Sequence, residues 1–429
     1  MLSKEENDLL TQTNPGTPCG VLLRSYWQPA ALSEELPEGG APIPLTLFGE
    51  ELVLFRDEQG RVGLLDRHCA HRGTDLSYGR LEDGGLRCIY HGWLYDVHGK
   101  CHETPGEPPG SRLRDVVRHT AYPCQEASGV IFAYMGAGEP PLLPNYEVLR
   151  SPAENTWATK YYQECNYLQG LEGNMDNVHV RFLHSFQRSN EGKRALGEHP
   201  KEMELDDDSN FRQPPKDRYF GPVRIEKTDF GFWRYVLNEN GEEVGGPDFI
   251  FPSLALTGGG PQARGDGYQL YWRVPIDDTH HWLFALVFKR SGAISTQHRY
   301  DRTWEVMTPD YRLKRNLGNR YLQDREEQRT STYSGMGSVF IAQDAVANET
   351  QHPIQDRSRE TLGVEDMAIV AGRQMLLAAI RDVQEGREPP GIIRDPAVNT
   401  FDPIVLKQNA ALVGVDEDAA LAVIRGRWL

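Results

Sequence analysis

The sequence predicts an α+β protein in two parts. An all-β unit preceded by a helical arm spans 1–150, and a larger unit of antiparallel strands and a long C-terminal helix spans 151–429. Three observations predict it. The 42 glycines and 28 prolines punctuate the chain with turns. Short apolar runs broken by turn residues fill 44–135, as in Leu52-Val53-Leu54-Phe55, Asp57-Glu58-Gln59-Gly60, Val62-Gly63-Leu64-Leu65. Late in the chain, Met367, Ile369, Val370, Met375, Leu376, Leu377 and Ile380 repeat at helical spacing.

The elements follow in order. Residues 4–30 read as a helical arm with a Gly/Pro break between Leu10 and Val21. Val130 to Met135 reads as the last strand of the first unit. Gly136-Ala137-Gly138-Glu139-Pro140-Pro141, with Pro144 and Pro152, marks the boundary. A helical segment is expected over 164–184, and a polar surface loop containing Asp206-Asp207-Asp208 over 186–217. Strands are expected at 219–226, 229–237, 248–256, 268–275 and 281–290, and a helix at 366–385. Helix, antiparallel strands and closing helix make the second unit α+β.

Charge excludes several roles. Lys plus Arg number 46 against 62 Asp plus Glu, a net −16, which repels nucleic acid and anionic membrane surfaces. No stretch approaches the ~18–20 apolar residues of a membrane span. The charged N-terminus lacks a secretory core, so a cytoplasmic location is expected. Six cysteines are too few for a disulfide framework, so clustered Cys and His read as metal ligands.

Cys69-Ala70-His71 and Cys88-Ile89-Tyr90-His91 form the first cluster, with sixteen residues between His71 and Cys88. Two Cys and two His in paired loops suit tetrahedral zinc or a two-iron cluster with one His-ligated iron. Each loop supplies one of each type and carries a glycine, Gly73 or Gly92, which lets it fold tightly. That favours a cluster held between two equivalent loops. Cys-Ala-His-Arg-Gly followed by Cys-Ile-Tyr-His-Gly-Trp resembles the Rieske [2Fe–2S] motif. Thr74 and Tyr90 stand where respiratory Rieske proteins carry a second cysteine pair, so the resemblance is to the disulfide-free oxygenase and ferredoxin branch. His68, His98 and His102 lie outside the pattern and are expected to be surface or structural residues.

The second cluster runs from Asn166 to His184. Asn166, Gln169, Glu172, Asp176 and His179 step by three or four, one polar stripe on a helix. His184 lies five residues after His179, roughly 140° round an ideal helix, so the helix must end or distort for both to meet one metal. Asp-x-x-His-x-x-x-x-His after a Rieske motif resembles the mononuclear iron site of Rieske aromatic-ring oxygenases. The resemblance implies an Fe(II) site of His179, His184 and a later carboxylate, assigned to Asp344, with Glu349 the runner-up. Asp176, one turn before His179, is expected to hydrogen-bond that ligand's other ring nitrogen.

The resemblance covers essentially the whole chain. The N-terminal arm and the tail from Pro353 to Gly363 look like the phthalate dioxygenase-type branch. What it implies is a Bet v1-like helix-grip catalytic domain and the oxygenase component of a multicomponent system. A separate reductase or ferredoxin would supply electrons from NAD(P)H, and O₂ and an aromatic acid would be the substrates. A homo-oligomer, commonly a trimer, would place one subunit's cluster near the next subunit's iron, with Asp176 bridging to His71 or His91. O-demethylation or hydroxylation of a lignin-type methoxylated acid is expected, with cis-dihydroxylation of a phthalate-like acid the alternative and pure electron carriage the distant one. Candidate carboxylate-binding cations are Arg224, Lys227, Arg234, Arg264 and Arg273. From Arg61 to Lys100 the local charge is +1, so Arg67 and Arg72 are expected to help dock an acidic electron donor.

Overall fold

A computed structural model describes residues 2–176, 178–185, 223–237, 243–257, 267–290, 292–295, 306–337 and 339–400. The expected loop at 186–217, the residues 219–222 of the first expected strand, and Arg264 lie outside the described residues.

The arm is two helices rather than one. Helix α1 (Lys4–Thr11) starts at Ser3, whose hydroxyl accepts from Glu6 N–H while the Glu6 carboxylate accepts from Ser3 N–H. Helix α2 (Pro18–Arg24) has Thr17 as cap and a proline in its first turn. The expected helical character ends there, because Trp27–Leu32 is a buried strand, β1.

The first unit holds three small antiparallel sheets. Strands β2 (Ile43–Leu47), β3 (Glu50–Arg56) and β4 (Val62–Asp66) meander. Strands β5 (Arg80–Glu82), β6 (Gly85–Arg87), β7 (Leu94–Tyr95) and β8 (Cys101–Glu103) form a second sheet. β9 (Ala121–Tyr122) closes the first. β10 (Cys124–Ala127) and β11 (Val130–Tyr134) pair with each other, and β11 also pairs with β1. A separate small core lies beneath the β4–β5 and β6–β7 loops and includes Phe55, Leu65, Leu76, Leu86, Trp93 and both Cys69 and Cys88.

The second unit is one seven-stranded antiparallel sheet. Its strands are β12 (Thr156–Gln163), β13 (Arg224–Lys227), β14 (Gly231–Leu237), β15 (Glu243–Ile250), β16 (Leu254–Thr257), β17 (Gly267–Pro275) and β18 (His281–Lys289). The order is β12-β18-β17-β16-β15-β14-β13, so the first strand pairs with the last. Sequence reading missed β12, in which Lys160 sits buried and paired with Glu35 at 2.7 Å. The strand expected at 248–256 is instead the end of β15, a turn at Phe251–Ser253, and β16. Pro252 has no N–H to give a ladder, which suits the turn.

Helices α3 (Tyr167–Met175) and α5 (Met367–Gln384) pack on the sheet, and α4 (Phe340–Glu349) packs on α3. The helix expected over 164–184 stops at Met175. Asp176 takes extended angles (φ −76°, ψ 130°), and a short 3₁₀ turn at His179–Arg181 follows. Among the described residues no helix is long and apolar enough to cross a membrane.

Candidate metal centres

The two Cys/His loops are near copies of each other. Cys69 N–H donates to Thr74 O and Gly73 N–H to Cys69 O, at 2.9 and 2.8 Å. Cys88 N–H donates to Trp93 O and Gly92 N–H to Cys88 O, at 2.8 and 3.0 Å. Both glycines have φ +74°, a left-handed conformation a side chain resists, which closes each loop at the same step. The cysteines are buried inward while His71 is exposed and His91 half-buried at the surface.

The imidazoles of His71 and His91 meet edge to face with centroids 4.5 Å apart, and Trp93 stacks on His71 at 4.6 Å. Tyr90, in the place of a respiratory-type cysteine, covers His91 at 3.8 Å, and Arg72 lies over Tyr90. Cys69 and Cys88 are both buried, and neither is paired in a disulfide. Two buried thiols and two imidazoles facing each other from matched loops fit a [2Fe–2S] cluster. The Tyr95 hydroxyl, 3.3 Å from Cys69 Sγ, was missed by sequence reading, since nothing in the spacing separates it from a core tyrosine. His68 and His102 bond Glu51 and Asp96 on the surface, as expected of residues outside the motif.

The second centre forms where the α3 exit meets the start of α4. His179 and His184 come together, with ring centroids 5.2 Å apart, because the helix has ended before them. Asp344 Oδ1 lies 3.0 Å from His184 Nε2 and 3.6 Å from His179 Nε2. The three side chains offer ligand atoms all within 4.8 Å of one another. Burial raises the Asp344 proton affinity, but His184 and His179 outweigh it, so its carboxyl stays below the usual range. Burial lowers that of His179, but Asp176 and Asp344 outweigh it and raise it. Two imidazoles and one carboxylate, clustered and half-screened from water, suit a divalent iron with an open face.

Asp176 does not share a helix face with His179. Its Oδ1 accepts from Val178 N–H at 2.7 Å and His179 N–H at 3.3 Å, capping the turn that carries the histidine. Its Oδ2 lies 3.6 Å from His179 Nδ1, beyond hydrogen-bond length, and that buried nitrogen has no other partner among the described residues. Sequence reading also missed Gln343, whose Oε1 accepts from His184 Nδ1 at 2.6 Å while its Nε2 donates to Gly337 O. The Phe340 ring stacks on His184 at 4.1 Å. Glu349, the alternative carboxylate, is turned elsewhere and accepts from Glu164 N–H and the Tyr321 hydroxyl.

The rest of the anticipated polar stripe serves structure. Asn166 bonds Thr11 O and Asp278 O, Gln169 bonds Asn348 O and His352 O, and Glu172 pairs with Arg357 and Arg373. Of the candidate substrate cations, Arg224 is exposed, stacked on Tyr235 and paired with Glu226, and Lys227 is exposed on the edge strand. Arg273 is fully buried against Asn174 and His281. Arg234 is paired with Asp248 at 2.7 Å.

Residues 26–123 match the Rieske [2Fe-2S] domain family, and residues 133–412 match the family described as LigXa C-terminal domain like. The chain is 34% identical over 412 residues to the phthalate 4,5-dioxygenase oxygenase subunit of Pseudomonas putida, spanning 91% of this chain and 89% of that one. It is 34% identical over 433 residues to the 5,5'-dehydrodivanillate O-demethylase oxygenase subunit of a Sphingobium species, spanning 97% and 89%. In fold it is similar to the terminal oxygenase of carbazole 1,9a-dioxygenase from Novosphingobium sp. KA1, with TM-score 0.59 at 21% identity over 89% of this chain and 100% of that one. Relatives aligned over most of their length and two family domains in tandem mean that the chain belongs to the Rieske non-haem iron oxygenases, as a terminal oxygenase component with a [2Fe–2S] cluster and a mononuclear iron.

Proposed function

We propose that this oxygenase O-demethylates a methoxylated, lignin-type aromatic acid. In this reading Cys69, His71, Cys88 and His91 hold the cluster, and His179, His184 and Asp344 hold the mononuclear iron. The convergence of those last three side chains within 4.8 Å supports the oxygenase site, and the likeness to the O-demethylase subunit over 97% of this chain supports the demethylation reading. When bound, the cluster supplies single electrons and the iron activates dioxygen.

The chain's own residues set up that chemistry. His179, His184 and Asp344 would hold the iron with three protein ligands, and a metal so held would have coordination positions to spare for O₂. Gln343 holds the His184 ring through Nδ1, so Nε2 faces Asp344. Asp176 holds the backbone of the His179 turn and lies beside that ring's inner nitrogen. The net reaction turns an aryl methyl ether, O₂, two electrons and two protons into a phenol, formaldehyde and water.

The engagement of Arg273 and Arg234 within the sheet supports a substrate other than a dicarboxylate. Arg273 is locked to Asn174 and His281, and half of the Arg234 fork is taken by Asp248. The phthalate 4,5-dioxygenase relative keeps dihydroxylation of a phthalate-like acid as the second reading.

A separate reductase or ferredoxin supplies electrons from NAD(P)H. The oxygenase of carbazole 1,9a-dioxygenase has been solved in complex with its ferredoxin. Arg72, exposed beside the surface histidines, is the docking cation in this reading, whereas Arg67 is taken up by Glu51 and Asp75. We place the division between cluster-bearing and iron-bearing units near residue 150 and the assembly as a head-to-tail trimer. Purified holoenzyme with a surrogate reductase is screened on methoxylated aromatic acids and phthalate. Formaldehyde release supports demethylation, and diol formation without formaldehyde selects the second reading.

A further inference from the structure

The sheet beside the iron site holds a charge pair that the reaction above leaves unused. Across β14 and β15, Phe232 faces Phe249 while Trp233 faces Pro247, so Asp248 is the extra residue of a β-bulge. Bulges re-aim side chains and recur beside active sites. Here the bulge turns the Asp248 carboxylate onto Arg234, whose Nη2 donates to Oδ1 at 2.7 Å. Arg234 lies two residues after Phe232 and so shares its face, and the Phe232 ring lies against α5 at Gly372. The pair therefore sits under the helices, near enough to the metal site that Arg234 lowers the proton affinity of His179 and Asp176 raises that of Asp248.

The pair is only half satisfied. Arg234 Nη1 and Asp248 Oδ2 are buried and have no hydrogen-bond partner among the described residues. Side-chain exposures are 17% and 7%. Burial pushes the Asp248 carboxyl up to about 6 despite the guanidinium beside it. An unmet buried donor and an unmet buried acceptor on two hydrogen-bonded side chains are costly unless a ligand fills both.

Their chemistry selects that ligand. The pair is neutral overall and presents one donor and one acceptor. A carboxylate could accept from Nη1 but would confront the Oδ2 lone pairs. A methoxy oxygen accepts only. A hydroxyl accepts and donates at once. We propose that Arg234 and Asp248 form a substrate-recognition site for a phenolic ring hydroxyl, with Nη1 donating to the phenol oxygen and Oδ2 accepting its proton. This rests on the demethylase reading and narrows its substrate to a methoxyphenol rather than a fully methylated or dicarboxylic ring.

The test measures binding to full-length holoenzyme by titration calorimetry with 4-hydroxy-3-methoxybenzoate, 3,4-dimethoxybenzoate and phthalate. The phenol should bind about 10- to 100-fold tighter than its methyl ether, because the ether leaves Oδ2 unpaired. Asp248→Asn keeps the shape but turns the acceptor into a donor beside an unneutralised guanidinium. It should cut the hydroxyl preference to about threefold or less and improve phthalate binding about tenfold or more. Arg234→Lys keeps the charge without the fork and should lose the preference at unchanged melting temperature. A purely structural pair would not exchange hydroxyl for carboxylate preference. Wild-type protein that binds phenol and ether alike, or binds neither, overturns the proposal, as does Asp248→Asn with its preference intact. If no methoxylated acid yields formaldehyde while Asp248→Asn still swaps the preference, the demethylase reading falls and the recognition site stands.

Discussion

Single side chains set the properties of both centres. Gln343 is fully buried and joins His184 to Gly337 O, so its loss leaves the imidazole unheld. Gln343→Leu should weaken iron binding by about 10- to 100-fold while the visible spectrum of the cluster stays unchanged, which metal analysis after mild chelation reads directly. At the other centre the Tyr95 hydroxyl can donate to Cys69 Sγ and stabilise the more negative, reduced cluster. Tyr95→Phe should therefore lower the reduction potential, and an unchanged potential in voltammetry would show the contact to be idle. Glu349 offers a pH test. Burial pushes its carboxyl up to about 7 from an ordinary 4.5, so the folded state binds more protons than the unfolded one between those values. Stability must then fall as pH rises through that window and level off above it. Glu349→Gln should flatten this slope and gain up to about 3 kcal/mol at pH 8, measured by urea unfolding at pH 5 and pH 8.

Elements bring these side chains together. Helix α3 points its exit at the iron site, and its inner face is anchored by a buried charge cluster. Glu172 accepts from Arg357 Nη2 at 2.8 Å and Arg373 Nε at 2.6 Å, and Arg373 also reaches Glu360. Arg357 further bonds Asn7, so α1, α3, α5 and the 353–363 tail are tied at one point. Removing one partner from such a buried set costs about 3–5 kcal/mol, so Arg357→Ala should melt well below the parent. Burial raises the Glu172 proton affinity, but the two arginines outweigh it and the net shift is downward. The stabilisation is therefore complete above the ordinary glutamate value and is lost as pH falls through the lower, folded one. At the end of α3, Asp176 replaces the helix with a capped turn. Asp176→Asn retains an acceptor oxygen for Val178 and His179, so iron and fold should persist while turnover nearly vanishes. Normal electron transfer from reduced cluster to iron in that variant would remove Asp176 from the route.

On the scale of the whole chain, the first candidate centre sits on the loops after β4 and β6 with its histidines at the surface, and the second sits where the α3 exit meets α4. The exposed Ile89 and Tyr90 flank those histidines and the exposed Val180 and Phe340 flank the iron site, which suits contact between successive subunits of the proposed ring. Holoenzyme should carry about three irons per chain, two in the cluster and one mononuclear. Mild chelation should remove about one of them, abolishing turnover but leaving the visible absorption. A preparation with two irons that resists chelation would indicate a carrier rather than an oxygenase.

The sequence by itself named Cys69, His71, Cys88, His91, His179 and His184 as candidate ligands, because cluster and iron chemistry demand particular residue types at short spacing. Cys69-x-His71 and Cys88-x-x-His91 each fit in one tight glycine loop, and His179 and His184 lie five residues apart. The five-residue step also required a helix break, which the structure supplies at Asp176. Tertiary structure alone decided what depends on distant chain. Periodicity could not separate the stripe residues Gln169 and Glu172, which meet Asn348 and Arg357, from Asp176 and His179, which meet the iron site. The choice of Asp344 over Glu349 turned on which way α4 faces, and β12 became a strand by pairing with β18 more than a hundred residues away. The Asp248 bulge left no local signature because it exists only in the register between two strands. Side-chain chemistry is written in the chain, but register, facing and burial come from the contacts that folding makes.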